Sequence, residues 1–135
     1  MTEIKVYLTL IGTDFDTEYV TAQLGIQPDE VREKNELLGN GRKFGHTEWG
    51  ICSELQVADE LEPILRETVS RFKCDTPLLY NLCSICNAEW HLLILLKIYD
   101  EDTPFLYFPA DIVHFLGDIR AQIGFDNYML SSNPE

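Results

Sequence analysis

The densest chemistry in the chain is Cys83-Ser84-Ile85-Cys86, with Cys74 nine residues earlier and His91 five residues later. Zinc takes four nitrogen or sulfur ligands in a tetrahedron, and Cys74, Cys83, Cys86 and His91 supply that number. The usual zinc pattern sets two close pairs apart, and no second C-x-x-C exists here. A redox pair needs a thiol pKa lowered at a helix N-terminus or by basic neighbours. Cys83 and Cys86 instead end an apolar run with Leu78, Leu79, Leu82 and Ile85, and no base adjoins them. Cysteine in such a setting is a small core residue. No metal and no cofactor are therefore expected.

The three histidines, His46, His91 and His114, are isolated. Nothing in their spacing sets one within hydrogen-bond reach of a nucleophile. Acidic residues gather in two places. Asp14, Asp16 and Glu18 surround a loop and helix start, where capping accounts for them, and Asp100-Glu101-Asp102 forms a polar turn. Neither matches a calcium-binding loop. The chain has no G-x-G-x-x-G, P-loop, G-x-S-x-G or H-E-x-x-H. The expectation is a domain without catalytic residues.

The elements that must position these residues follow from periodicity. Ile4, Val6, Leu8 and Leu10 alternate with Lys5, Tyr7 and Thr9, which predicts a half-buried strand. Asp16 is placed to cap a helix over 17–24, with Tyr19, Val20, Gln23 and Leu24 inward and Gly25 ending it. Residues 31–36 and 44–53 read as two strands joined by a tip at Gly39-Asn40-Gly41. Gly45 and Gly50 on the return strand suggest a bulge or a close backbone approach. Val57, Leu61, Ile64, Leu65, Thr68 and Phe72 predict a helix over 58–73, and Thr76-Pro77 opens another to 86. Residues 89–99 are apolar on both alternating faces, as in a strand covered on both sides. A short strand at 105–108, a helix from Pro109 to Arg120 and a strand over 121–130 complete the chain, with 131–135 a frayed tail.

This order predicts a single α+β domain over 1–130. Its sheet is mainly antiparallel with helices packed on it. A ferredoxin-like βαββαβ core carries a β-α-β extension. Ala22-Gln23-Leu24-Gly25-Ile26 and Ala121-Gln122-Ile123-Gly124-Phe125 look alike, but one falls in a helix and the other in a strand. They are read as coincidence.

Charge narrows the function. The 135 residues carry 23 acids and 10 Lys plus Arg, a net charge of −13. Nucleic-acid binding requires clustered bases, and the largest set (Arg32, Lys34, Arg42, Lys43) is interleaved with or flanked by Glu30, Glu33, Glu36 and Glu48. Anionic membranes repel such a surface, and no apolar run reaches bilayer length. No signal peptide is evident at the start, so a cytoplasmic location with reduced cysteines is expected. An acidic surface favours a basic protein partner. Asp14, Asp16, Asp100, Glu101 and Asp102 are the candidate contacts, and an immunity or inhibitor protein against a basic toxin is the sharpest form of that reading. The alternatives are a small-ligand or enzymatic pocket on the sheet, where His46, Trp49 and Tyr128 converge, and homodimerisation through an open sheet edge.

Phe15-Asp16, Thr21-Ala22-Gln23-Leu24-Gly25-Ile26-Gln27-Pro28, Trp49-Gly50-Ile51-Cys52-Ser53 and Asp126-Asn127-Tyr128 follow one another along nearly the whole chain. Together they resemble the bacterial domain-of-unknown-function family numbered four-two-seven-nine. Its pattern runs T-x-x-L-G-[IL]-x-P, W-x-[IV]-x-[ST], then D-x-Y. The family often has Lys-Gly-Glu before the tryptophan, where this chain has Lys34-Asn35-Glu36. The resemblance implies a small bacterial protein and assigns no catalytic residue.

Overall fold

The computed structural model describes residues 1–73 and 75–131. Cys74, one of the four metal candidates, and 132–135 of the expected tail lie outside the described residues. The alternation at the start of the chain makes β1 (Thr2–Gly12), whose Ile4, Val6, Leu8 and Leu10 are fully buried. On one side it pairs antiparallel with β3 (Thr47–Cys52) and with the short β4 (Gln56–Val57). On the other side β5 (Ala88–Tyr99) runs antiparallel along its whole length, from Thr2↔Ile98 to Gly12↔Ala88. β2 (Glu30–Arg32) lies outside β3, and β6 (Gln122–Leu130) lies parallel to β5. The order β2-β3-β1-β5 with every neighbour antiparallel is that of a βαββαβ ferredoxin-like core. Parallel β6 is the extension.

Four helices pack on this sheet: α1 (Thr17–Leu24), α2 (Glu62–Ser70), α3 (Thr76–Cys86) and α4 (Ala110–Asp118). Asp16 caps α1 by accepting from the Glu18 and Tyr19 backbone N–H groups. Gly25 ends it at φ 66°, a left-handed conformation that suits glycine. Trp49 and Trp90 are both fully buried and meet edge-to-face at 6.3 Å, and Phe72 meets Trp90 at 5.4 Å. These three rings join β3, β5 and the residues after α2 into one core.

Several expectations change. β5 is covered on one face only, and Leu93 on the other face is 38% exposed. Topology explains this. The connections β1 to β2, β3 to β5 and β5 to β6 all join parallel strands through helices. Right-handed crossovers in those directions put every helix on the same side. Residues 105–108 form no strand, only an isolated bridge from Phe105 to Glu60. The second helix starts at Glu62 because Pro63 fits only the first turn. Val57 therefore sits in β4, 63% exposed, and not in a helical stripe. The strands expected over 31–36 and 44–53 shorten to β2 and β3, leaving an arm between them that is bridged at Leu37↔Lys43. Tyr19 and Gln23 are exposed, not inward. No described helix is long and apolar enough to cross a membrane.

Candidate functional site

Because the helices take one face, the alternate residues of every strand line an open face. Register places them in rows. Arg32, Glu48, Ile11 and Glu89 form one row; Glu30, Gly50, Thr9, His91 and Gln122 form the next; Cys52, Tyr7, Leu93 and Gly124 form a third. Gly50 is the deciding position. A Cβ there would lie 2.6 Å from Thr9 Oγ1, so only glycine lets β1 and β3 approach with Thr9 in place. Thr9 fills the space a side chain at Gly50 would take, and a cleft opens over it between the β2 carboxylate and the β5 imidazole. Tyr7, Thr9, Ile11, Glu30, Arg32, Glu48, His91 and Leu93 line this cleft, whose volume is about 180 Å³.

β1 and β5 line the cleft with Tyr7, Ile11 and Leu93 beside Thr9 and His91, and β2 and β3 with Glu30 and Glu48 beside Arg32. Its cation, Arg32, stacks over the Phe44 ring at 5.5 Å and lies 3.7 Å from Glu36. Glu48 lies 3.7 Å from His46, and His91 lies 3.8 Å from Glu89. Farther along the face, Lys5 sits over the Tyr7 ring at 4.8 Å. Asp126 beside Tyr128 pushes its phenol above the ordinary value, and the hydrogen bond that Tyr128 donates to Asp126 adds to this. Small-molecule sites usually enclose about 300–1,000 Å³. The present volume suits one long side chain.

A roomier groove of about 450 Å³ lies between α2 and the residues after β3, lined by Cys52, Ser53, Gln56, Glu67 and Arg71 among others. Arg71 is already engaged there, donating to Asp29 Oδ2 at 2.6 Å. The same carboxylate accepts from the Cys52 backbone N–H at 2.8 Å. Burial alone would raise the Asp29 pKa, but these hydrogen bonds and the Arg71 charge outweigh it and hold the carboxyl below its usual range.

The residues singled out from sequence are dispersed. Asp14 and Asp16 follow β1, whereas Asp100, Glu101 and Asp102 follow β5 at the opposite end of the sheet. The full length of β1 separates the two groups, about 35 Å. Asp16 is occupied as a helix cap, and Asp102 pairs with the terminal ammonium at 2.6 Å. His46, Trp49 and Tyr128 do not converge: Trp49 is buried on the helix face, and Tyr128 lies on the open face of β6. His91 lines the open cleft, while Cys83 and Cys86 lie on α3 under the other face. The sheet thus separates them, and the described residues contain no cluster of three His, Cys, Asp or Glu able to hold a metal. Burial pushes the Cys83 and Cys86 thiols up, against thiolate chemistry.

The sequence motifs, by contrast, meet in space. Buried Trp49 donates from Nε1 to Thr21 Oγ1 at 2.9 Å, joining the T-x-x-L-G and W-x-[IV] segments. Ser53 Oγ accepts from the Val6 backbone N–H at 2.9 Å. The family model for Domain of unknown function (DUF4279) matches residues 2–130. The chain belongs to this family. No curated protein and no solved structure matches it. For this DUF4279 domain, most motif residues are thus structural: a cap, a helix stop, a tryptophan and its acceptor. Asp126 and Tyr128 of the D-x-Y element stand on the open face.

Sequence reasoning missed the cleft because its residues belong to four strands. Tyr7 and Thr9 read as the outer half of β1, Ile11 fell beyond its expected end, and Glu30, Arg32 and Glu48 read as part of a mixed-charge segment. The usable signal was Gly50, a glycine inside a strand. Asp29, which joins β3 to Arg71, left no signal.

Proposed function

We propose that this domain binds a basic protein on its open sheet face, with a lysine or arginine side chain of the partner in the cleft. The observation that carries this is the pairing of an apolar wall (Tyr7, Ile11, Leu93) with two carboxylates, Glu30 and Glu48, in a volume of about 180 Å³. An aliphatic stem fits the wall and a cationic head fits the carboxylates. The charge of −13 steers such a partner inward and raises its on-rate. In its sharpest form the partner is a basic toxin, and the domain works as an immunity protein without catalysis. The open face replaces the acidic end loops as the candidate contact surface, since those loops lie apart and Asp16 is used internally.

The test is an amide NMR titration of the labelled protein with blocked hexa-arginine, with hexa-citrulline as the neutral control. Shifts should concentrate at Tyr7, Thr9, Gly50, His91 and Leu93. The Glu30→Lys/Glu48→Lys double variant should weaken binding about tenfold and remove that local pattern. The Asp100→Lys/Glu101→Lys/Asp102→Lys variant should keep it. The opposite ranking, or shifts spread evenly over the surface, would sink the assignment.

A further inference from the structure

β6 closes one side of the sheet. Its outer edge carries backbone N–H and C=O groups with no strand beside it among the described residues. Proteins protect such edges with lysines, prolines, bulges or shortness. β6 has nine residues and a single charge, Asp126, and neither lysine nor proline. Its Ile123 and Met129 side chains are 49% and 61% exposed. Phe125, also exposed, meets Phe108 edge-to-face at 6.4 Å, so apolar surface continues beyond the strand on the helix side. A patch this apolar marks an interaction surface.

We infer that this edge pairs with a second copy of the chain, antiparallel about a two-fold axis through Asn127. The register follows from residue types. A two-fold axis perpendicular to the sheet sets one residue against itself, and Phe125, Asp126 and Asn127 are the central choices. Asp126 on the axis brings two carboxylates to about 5 Å, a destabilising like-charge pair. Phe125 on the axis sets apolar Ile123 against Asn127, and Asp126 against Gly124. Asn127 on the axis sets Phe125 against Met129 twice on the helix side. It also sets Asp126 against Tyr128 twice on the open face. A ring meets a thioether, and a carboxylate meets a phenol that reaches its own Asp126 only at 3.3 Å.

β6 is thus complementary to itself in one register, and its lone acid finds a donor across the axis. That self-fit selects a second copy over an arbitrary extended peptide. The axis also keeps both open faces on the same side of one continuous sheet.

The wild-type chain should sediment as a concentration-dependent dimer in the micromolar range. Asn127→Lys sets two ammonium groups face to face and should raise the dimer dissociation constant by about tenfold or more. Far-UV circular dichroism checks that this variant folds. For the register, Asn127→Cys should join two chains through a short bismaleimide linker. Gln122→Cys should not, because its two copies stand about 33 Å apart. The wild type, with its own four cysteines, sets the baseline. A chain that stays monomeric at every concentration overturns the inference, as does a dimer indifferent to Asn127→Lys. Cross-linking at 122 and not at 127 overturns the register. No basic ligand is present in these experiments, so their outcome is independent of the open-face reading.

Discussion

Thr21 shows how much one side chain carries. Its hydroxyl is half-buried and accepts the indole N–H of fully buried Trp49 at 2.9 Å. A buried donor that loses its acceptor costs about 1–3 kcal/mol, more than the bond itself contributes. Thr21→Val keeps the shape and removes the acceptor, so urea unfolding should show a loss in that range. Thr21→Ser keeps the oxygen and should lose less than half as much. A larger loss in Thr21→Ser than in Thr21→Val would assign the effect to packing of the methyl group, which valine keeps and serine lacks. The sequence singled out Thr21 and Trp49 as motif residues, and Trp49 for a pocket. That the two meet was not legible, since they lie 28 residues apart and periodicity says nothing about which side chains meet.

At the scale of elements, regular strands and capped helices were legible wherever local signals agreed. β1, α1 with its Asp16 cap, and β6 stand within a residue or two of their expected limits. Elements failed where tertiary partners decide. Phe105-Leu106-Tyr107-Phe108 has strand composition, but no neighbouring strand offers it more than the bridge to Glu60. The open face was illegible for a related reason: an apolar β5 predicts burial on both sides, and only crossover direction shows that one side stays bare. Asp29 is the clearest joint between elements, tying the start of β2 to β3 and to Arg71 beyond α2. Its folded pKa lies below the unfolded one, so its contribution is full above the unfolded pKa, near pH 4. It is lost as pH falls through the lower folded value. Stability measured between pH 2 and pH 7 should therefore separate the wild type from Asp29→Asn at neutral pH, and the two curves should converge in acid. A constant gap across this range would remove Asp29 from the acid limb.

For the whole molecule, the net charge of −13 governs the response to salt. Two of the described ion pairs, Arg66 with Asp111 at 2.7 Å and Arg71 with Asp29 at 2.6 Å, have side chains at least one-third exposed. Exposed pairs of this kind contribute about 0–1 kcal/mol each, so screening them costs little. Screening the repulsion among excess carboxylates stabilises the fold instead. Thermal melts should therefore rise with sodium chloride, by about 3 °C between low and physiological ionic strength for a chain of this size. A falling midpoint would mean that the local pairs outweigh the global repulsion. The same field acts with opposite sign on the two proposed interfaces. Two copies meeting at β6 repel each other at long range, so their association should tighten as salt rises. A basic partner on the open face is attracted at long range, so its capture should weaken. One salt series, read by sedimentation without ligand and by NMR with hexa-arginine, separates the two surfaces. Parallel salt trends would show that one of the two associations does not use the surface assigned to it.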